Sequence, residues 1–309
     1  MSHIILHHYP QSPVSEKVRV ALGIKKLAWR SVEIPRLPPK PDLMPLTGGY
    51  RLTPVMQIGA DVYCDSPCIL RELERRVPAP TLFPGGANGL AWGVGQWIDG
   101  PLFTAVIALV FADAGDDMPP AFAADRGPLY FGPGYDMAAL QAALPHTLAE
   151  LRAQIGWIEE RLATGRRFML GDAPGLPDAL AYYIVWFIRG RYSRGPAFLA
   201  GFPNLCAWEA RVAAIGHGTS TEMSAAQALE IAHAATPQGP TAVDGDDLLG
   251  LAPGDPVEVT PTGVSGAPAV AGQVRALDAQ TIALDREDAR VGHVAVHFPR
   301  VGYRIAGRA

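Results

Sequence analysis

The spacing of apolar residues at the start of the chain predicts strands and helices in alternation. Residues 3–8 are apolar and suited to a strand, whereas the apolar residues from Val14 to Leu22 recur at helical spacing. Residues 28–34 predict a second strand, residues 54–64 a hairpin, and residues 66–76 a further helix. The β-α-β order favours a parallel first pair of strands with a right-handed crossover, to which the hairpin adds antiparallel strands. A small mixed sheet flanked by helices is therefore expected.

Helical spacing dominates the middle of the chain, from about residue 89 to residue 235. The longest apolar run, Leu102 to Ala112, predicts a buried helix, because about 20 residues are needed to span a bilayer. The stretch 113–135 is rich in Gly, Pro and Asp and predicts a long loop. Further segments with helical spacing are residues 136–163, 177–190, 204–215 and 221–234.

Short β-compatible segments follow in the C-terminal part of the chain, where Gly, Pro and Asp turns separate them. These segments are residues 257–260, 271–277, 281–284 and 293–298. They predict a small antiparallel β-domain or barrel. We therefore expect three domains, at residues 1–80, 88–235 and 248–309, with linkers that contain Pro and Gly between them.

The composition argues against several classes of protein. Only 18% of the residues are charged and 49% are apolar, which is incompatible with a largely disordered chain. The 26 basic and 30 acidic side chains give a net charge of −4, whereas a general nucleic-acid binder needs a basic surface. The N-terminus lacks the basic segment and apolar core of a secretory signal. We expect a cytoplasmic protein without nucleic-acid or membrane partners.

The cysteines and histidines do not predict a metal site. Cys64 and Cys68 lie close in sequence without a second pair near them, and with Cys206 the odd count does not form a disulfide framework. His293 and His297 would share one face of a strand, yet no carboxylate or cysteine is spaced to complete a site. We expect buried thiols, a polar strand face and no bound metal.

Three sequence elements carry a resemblance to a known family. The segment Tyr9–Leu22, YPQSPVSEKVRVAL, resembles the first turn and helix of the cytosolic glutathione transferases, especially their serine- and cysteine-type classes. Arg51–Met56, RLTPVM, and the pair Asp65-Ser66 resemble the family's later glutathione-binding elements. The resemblance covers roughly residues 1–235 and implies an α/β thioredoxin-like domain plus an all-α helical domain. The small β-rich domain lies outside the usual family.

The resemblance implies a catalytic hydroxyl at the start of the first helix. A helix N-terminus stabilises an anion, and Ser12 lies at such a start, where family members place a catalytic serine or cysteine. A hydroxyl that donates to the sulfur of glutathione would lower the pKa of the thiol. Ser15 is the second candidate for this donor and Tyr9 is the third. The alternative is that Ser12 only caps the helix, a role that is compatible with catalysis.

The resemblance also implies a set of contacts to glutathione. Pro54 resembles a cis-proline that turns the backbone of Thr53 toward the cysteinyl part of the ligand, and Arg51 stands near the glycyl carboxylate. Ser66 would bind the γ-glutamyl carboxylate, and Asp65, which is shorter than the family's usual Glu or Gln, its ammonium group. The alternatives are a trans proline, a solvated arginine and a simple N-cap at Asp65.

Two features of the helical domain complete the resemblance. Gly175-Leu-Pro-Asp178 is similar to the motif that caps the family's core helix, which is a role in folding. Aromatic residues between Trp97 and Phe131 are candidates for the lining of an apolar second-substrate pocket.

The resemblance leads to two functional hypotheses. The first is a homodimeric glutathione S-transferase-like enzyme of detoxification, which uses glutathione as co-substrate to conjugate or cleave a small hydrophobic electrophile. The second is a non-catalytic binding protein on the same fold, a reading that Asp65 and the added β-domain favour. The combination of Ser12, Pro54 and Ser66 argues against the second hypothesis. Because positions 12 and 15 are not cysteine, a glutaredoxin-like reductase is not expected.

Overall fold

A computed structural model describes residues 3–307 of the chain. These residues form two compact units. The sheet unit comprises residues 3–15, 28–75 and 219–307, and the helical unit comprises residues 16–27 and 76–218. The C-terminal strands, which the sequence predicts as a domain over residues 248–309, thus belong to the same unit as the N-terminal strands.

The elements of the sheet unit follow the predicted β-α-β and hairpin order. Its strands are β1 Ile5–His8, β2 Ala28–Glu33, β3 Val55–Ile58, β4 Asp61–Cys64, β5 Thr219–Glu222, β6 Pro256–Pro261, β7 Val270–Leu277, β8 Thr281–Asp288, β9 Gly292–Pro299 and β10 Tyr303–Gly307. Its helices are α1 Pro13–Ile24, which continues into the helical unit, α2 Met44–Thr47, α3 Ser66–Arg76 and α12 Ala225–His233. Strand β5 takes the place of the predicted start of a helix at residue 221, and β10 was not predicted.

In the described part of the chain, ten strands form one sheet with the order β10-β6-β7-β8-β9-β4-β3-β1-β2-β5. Strands β1 and β2 are parallel, and β3 is antiparallel to both β1 and β4, as predicted. The C-terminal strands join this sheet because β9 pairs in parallel with β4, with Asp61 opposite Ala295 and Tyr63 opposite His297. The N–H of Ala295 donates to the carbonyl of Ala60 over 3.0 Å. Main-chain hydrogen bonding therefore explains why the predicted third domain is not separate.

One apolar cluster fills the sheet unit and draws on both ends of the chain. Val62 and Cys64 of β4 lie in it with Val296 and Phe298 of β9, and Leu229 of α12 packs on the same cluster. Alternate residues of β4 and β9 point to this face, as the two-residue period of a strand requires. Cys64 and Cys68 are buried free thiols, as predicted, whereas Cys206 is only half-buried.

The opposite face of β4 and β9 is polar and buried. His297 Nε2 lies 2.9 Å from Asp61 Oδ1, and the Asp61 carboxylate also accepts from the backbone N–H groups of Gln238 and Gly239. Burial alone would raise the pKa of Asp61, but these hydrogen bonds hold it below its usual value. His293 bonds Asp285 instead, over 2.8 Å. Across residues 3–307, no cluster of three His, Cys, Asp or Glu side chains is placed to hold a metal ion.

His7 is a buried histidine that links β1 to β3. Its Nε2 lies 2.9 Å from Gln57 Oε1, and the Gln57 amide donates to the carbonyl of Ala228 in α12 over 2.8 Å. Burial lowers the pKa of His7 to about 4, although the bond to Gln57 acts in the opposite direction. His7 is therefore a neutral imidazole in the folded protein at physiological pH.

We expect acid to destabilise the fold through His7. The unfolded chain protonates this imidazole near pH 6.5 and the folded protein near pH 4, so the unfolded state binds more protons between these values. The contribution of His7 is present above pH 6.5 and falls by about 3 kcal/mol as the pH drops through 4. Urea unfolding at several pH values measures this contribution as the difference in unfolding free energy between the wild type and His7→Leu. The exposed His146, changed to Leu, is the matched control, and an identical pH slope in wild type and His7→Leu would contradict the assignment.

The helical unit contains the rest of α1 and the segment from residue 76 to residue 218. Its other helices are α4 Asn88–Trp97, α5 Phe103–Ala114, α6 Pro120–Phe131, α7 Met137–Ala142, α8 Leu144–Ala163, α9 Leu176–Arg191, α10 Gly195–Leu199 and α11 Pro203–Ala213. Helix α6 corrects the predicted loop at residues 113–135. Pro120 suits a first helical turn, and the Phe111 ring lies 6.2 Å from Phe122 and 5.2 Å from Phe131, so packing of α6 on α5 outweighs its Gly and Pro content.

The apolar run that the sequence places in α5 is part of a longer helical stretch, Asn88–Asp117. Among the described residues, this stretch alone is long and apolar enough to cross a bilayer by length and composition, and 44% of its most apolar window is buried within the protein. A π-helical turn, Ile98–Leu102, kinks it at Gly100 and Pro101. Core helices of proteins that do not span a membrane pass the same test.

The predicted cap of the core helix is present at the start of α9. Gly175 is the N-cap residue, and its N–H donates to the Asp178 carboxylate over 2.9 Å. The same carboxylate accepts from the N–H of Met169 over 2.9 Å and from the indole of Trp208 over 2.7 Å. Burial raises the pKa of Asp178 to about 6 despite these bonds. Asp178 therefore joins three segments of the helical unit.

Candidate functional site

Strand register brings the predicted site residues to one end of the sheet. Because His7 pairs with Val55 in an antiparallel ladder, the next residues of β1 and the residues before β3 continue side by side. Val55 also pairs with Cys64, so the Thr53–Pro54 peptide and the Asp65-Ser66 pair both begin next to this position. The binding elements that the resemblance implies are therefore neighbours within the sheet unit.

Ser12 is the N-cap residue of α1. Its Oγ accepts from the N–H of Ser15 over 3.1 Å, and its own N–H donates to the carbonyl of Tyr9. Only 2% of the Ser12 surface is exposed. Within residues 3–307 the Ser12 hydroxyl proton is donated to no acceptor. The capping role is thus present, and the hydroxyl retains one donor for a ligand atom at the positive end of α1.

The two other candidate donors differ from Ser12 in their surroundings. Ser15 lies inside the first turn of α1, fully buried, and its Oγ has no hydrogen-bond partner in the described part of the chain. Tyr9 is nearly buried between β1 and α1, and the side chains of Arg36 and Lys40 lie about 6 Å from the centre of its ring. Tyr9 therefore packs against cations, whereas Ser15 is enclosed.

The Thr53–Pro54 peptide bond is cis, as the resemblance implies. Thr53 is half-buried, and its Oγ1 accepts from Lys40 Nζ over 2.9 Å. Neither the N–H nor the C=O of Thr53 has a hydrogen-bond partner within residues 3–307. Every backbone N–H and C=O needs a hydrogen-bond partner when it leaves water. An extended peptide beside Thr53 would provide an acceptor for the N–H and a donor for the C=O.

Lys40 is a site residue that the sequence reasoning missed. It is 3% exposed, and its Nζ donates to the carbonyl of Arg51 and to Thr53 Oγ1, each over 2.9 Å. A buried ammonium group fixes the segment before β3, and Arg51 contributes to this contact through its backbone. Lys40 lies in the proline-rich stretch after β2, where nothing in the spacing separates it from an ordinary surface lysine.

Asp65 and Ser66 form the start of α3. Asp65 has a φ of 69°, in the left-handed region that few non-glycine residues adopt, and its Oδ1 accepts from the N–H of Ser66 over 2.7 Å. Ser66 is 0% exposed, whereas Asp65 is half-buried. Asp65 takes the N-cap position, the alternative in the sequence analysis, because its carbonyl accepts from the N–H of Ile69 over 3.1 Å. Its side chain bonds the N–H of Ser66, whereas a capping side chain ordinarily accepts from the second or third helical residue.

A second missed residue comes from the last strand. The hydroxyl of Tyr303, in β10, donates to Asp65 Oδ2 over 3.0 Å and lies 3.4 Å from the hydroxyl of Tyr50. Burial raises the pKa of both tyrosines well above 10, so both are neutral phenols. Only a strand pairing between distant segments brings Tyr303 here, which explains why the local pattern did not reveal it.

Models of known families match both predicted parts of this architecture. Residues 6–81 match the glutathione S-transferase N-terminal domain, and residues 141–211 match the glutathione S-transferase C-terminal domain. The C-terminal strands lie outside both matches. They are shared with a GST-like protein from Pseudomonas syringae, whose crystal structure is 36% identical, with all of both chains covered and a TM-score of 0.79.

Two further relatives are more distant. A glutathione transferase family member from Pseudomonas fluorescens pf-5, solved with two glutathione bound, shares the fold at 15% identity and a TM-score of 0.52, over 68% of this chain and 88% of that one. Maleylpyruvate isomerase from Ralstonia sp is 29% identical over 86 residues, which are 27% of this chain. The match spans 41% of the length of that isomerase. Together with the full-length match to the Pseudomonas syringae protein, the two domain matches establish that the chain belongs to the glutathione S-transferase family.

Proposed function

We propose that the protein binds glutathione along Thr53 and cis-Pro54 and uses Ser12 to activate its thiol. The N–H and C=O of Thr53, which have no hydrogen-bond partner among residues 3–307, carry the proposal, because they are the donor and acceptor that an extended peptide needs. Lys40 holds Thr53 in place by donating a hydrogen bond to the Thr53 hydroxyl, which leaves the backbone groups of Thr53 for the ligand. Arg51, next to this segment, is the cation that we assign to the glycyl carboxylate.

The start of α1 supports the catalytic part of the proposal. The Ser12 hydroxyl has a proton to donate, and it lies where the positive end of the helix dipole acts. A donor at this place stabilises the thiolate over the thiol and so lowers the pKa of the bound thiol. At neutral pH more of the bound thiol has then released its proton to solvent. The thiolate forms a C–S bond to an electrophilic carbon held next to it, and the displaced electron pair moves to a leaving group or to the far end of a conjugated double bond, which takes up a proton.

The partial match to maleylpyruvate isomerase favours two reaction types for this thiolate. In a transfer reaction glutathione remains bonded to the product, whereas in an isomerisation the thiol is released unchanged. Consumption of free thiol during turnover therefore distinguishes the two. The proposal retains a small hydrophobic electrophile as second substrate, a homodimer as the active form, a role in detoxification and the cytoplasm as location.

We expect reduced glutathione to bind in the micromolar to low-millimolar range. Isothermal titration calorimetry of the full-length protein measures the affinity, and the reference ligand is a tripeptide with proline in place of cysteine, which cannot pair with the Thr53 N–H and C=O in the same way. Binding of glutathione and not of the reference supports the site. A folded protein that binds neither ligand would overturn the proposal in favour of the non-catalytic binding protein.

A further inference from the structure

A cavity in the helical unit lies where the first turns of α8 meet the end of α9. Its volume is about 420 Å³, within the range of roughly 300–1,000 Å³ that is typical of small-molecule sites. Leu148 and Arg152 of α8 line it together with Tyr192, Arg194 and Phe198, which lie at and after the end of α9. All of these residues belong to the helical unit, and none of them is assigned to glutathione.

Three polar groups of this cavity have no partner in the described part of the chain. The guanidinium groups of Arg152 and Arg194 form neither an ion pair nor a hydrogen bond there, and the Tyr192 hydroxyl has no hydrogen-bond partner. Tyr192 is only 5% exposed, so its hydroxyl gains from a partner that a ligand brings. None of the described residues that line the cavity is acidic, so two positive charges share it without a counterion.

Hydrogen bonds hold the turn after α9 in one conformation. The N–H and the hydroxyl of Ser193 both donate to the Asp113 carboxylate of α5, each over 2.7 Å. The N–H of Gly195 donates to the carbonyl of Tyr192 over 2.8 Å. Tyr192 and Arg194 flank Ser193, so a fixed backbone presents both side chains to the cavity. Binding there costs less conformational entropy than binding to a mobile loop.

The apolar part of the cavity suits a ring. The Phe198 ring lies 6.4 Å from the Tyr192 ring and 5.8 Å from the Phe202 ring, in edge-to-face arrangements. Leu148 and Arg152 are four residues apart on α8, so they share one face of the helix. A ligand with a flat apolar body would pack that body against Phe198 and Leu148 and direct an acidic group to the arginines.

We propose that this cavity binds a phosphate monoester with an aromatic body. Such a phosphate is a dianion above a pKa of about 6 and has three strong acceptor oxygens, so it can accept from both guanidinium groups and from the Tyr192 hydroxyl. A carboxylate has one charge and two oxygens, which leaves one arginine without a counterion. The inference does not depend on the proposed function, because the groups assigned to glutathione belong to the sheet unit.

Four probes test the ligand class by calorimetry with the full-length protein, at about pH 8 in a buffer without phosphate. They are 1-naphthyl phosphate, 1-naphthoate, 1-naphthol and inorganic phosphate. We expect 1-naphthyl phosphate to bind at least about tenfold more tightly than each of the others, which lack either the second charge, all charge or the ring. A saturating concentration of reduced glutathione should leave this affinity unchanged. Equal binding of 1-naphthoate, no binding of 1-naphthyl phosphate, or its displacement by glutathione would overturn the proposal.

Substitutions of the lining residues locate the bound probe. We expect Arg152→Gln and Arg194→Gln each to weaken the binding of 1-naphthyl phosphate about tenfold, and Tyr192→Phe about threefold. Arg191→Gln is the matched control, because it removes an exposed arginine in the last turn of α9 that does not line the cavity. The arginines are exposed and phenylalanine keeps the ring of Tyr192, so the variants stay folded. An equal loss in Arg191→Gln would indicate a general attraction to positive charge and would contradict the site, as would unchanged affinity in Arg152→Gln and Arg194→Gln.

Discussion

Replacing Asp178 with alanine is expected to lower the free energy of unfolding of the helical unit by about 3–5 kcal/mol. The carboxylate is 0% exposed and accepts from the N–H groups of Met169 and Gly175 and from the indole of Trp208. Without it, three buried donors lose their acceptor at once, and α9 loses the contact that closes its first turn. Urea unfolding at neutral pH, followed by circular dichroism, measures the change.

Two further variants make this result specific to the Asp178 contacts. Asp178→Asn keeps the volume and one oxygen, but its amide group faces the N–H of Gly175, so we expect a smaller loss than for alanine. Asp172→Ala removes an exposed carboxylate of the same unit and should change the unfolding free energy by less than about 0.5 kcal/mol. If Asp178→Ala and Asp172→Ala had equal effects, the three hydrogen bonds would not carry the stability assigned to them.

The second large effect is expected at Ser12. On the proposed mechanism, Ser12→Ala lowers kcat/KM for the glutathione-dependent reaction about a hundredfold, because the thiolate loses its hydroxyl donor. The affinity for glutathione changes less, since the peptide is held at Thr53. The pKa of the bound thiol rises, and a pH series of thiolate absorbance on the glutathione complex records that shift. Loss of the cap costs about 1 kcal/mol of stability, which leaves the protein folded.

Comparison variants identify which hydroxyl acts on the thiol. Ser12→Thr retains a hydroxyl and should recover part of the activity, and Ser15→Ala removes the neighbouring one. A larger loss of turnover in Ser15→Ala than in Ser12→Ala would move the donor role to Ser15, and unchanged turnover in both would contradict a serine mechanism. Ser12→Cys should add thiol–disulfide exchange, because it restores a thiol at the start of α1.

Local sequence signals were sufficient wherever the structure depends on neighbours in the chain. The β-α-β order, the hairpin of β3 and β4, and the cap of α9 at Gly175 and Asp178 all follow from spacing, turn residues and capping preferences within short segments. The cis bond before Pro54 was predicted because the six residues Arg51–Met56 resemble a family motif that contains a cis-proline. The placement of Ser12 at the start of α1 likewise needed only the sequence around it.

Tertiary packing decided the elements that the sequence did not predict. Helix α6 contains Gly127 and Pro128, which are typical of loops, and it forms because its aromatic side chains pack against Phe111. Lys40 and Tyr303 enter the candidate site only through contacts with Thr53 and Asp65, which the register and the strand pairing create. No periodic pattern along a single segment records which distant strand will lie beside it.

The parallel pairing of β4 with β9 has a consequence for how the chain is made. Strand β4 ends at Cys64 and β9 begins at Gly292, so a ribosome synthesises β4 long before its neighbour exists. At about 5–20 residues per second, this interval lasts on the order of tens of seconds. During that time the edge of β4 and the apolar face around Val62 await the last strands, while the segment from residue 76 to residue 218 can already fold. We therefore expect the N-terminal strands to depend on chaperones during translation more than the helical unit does.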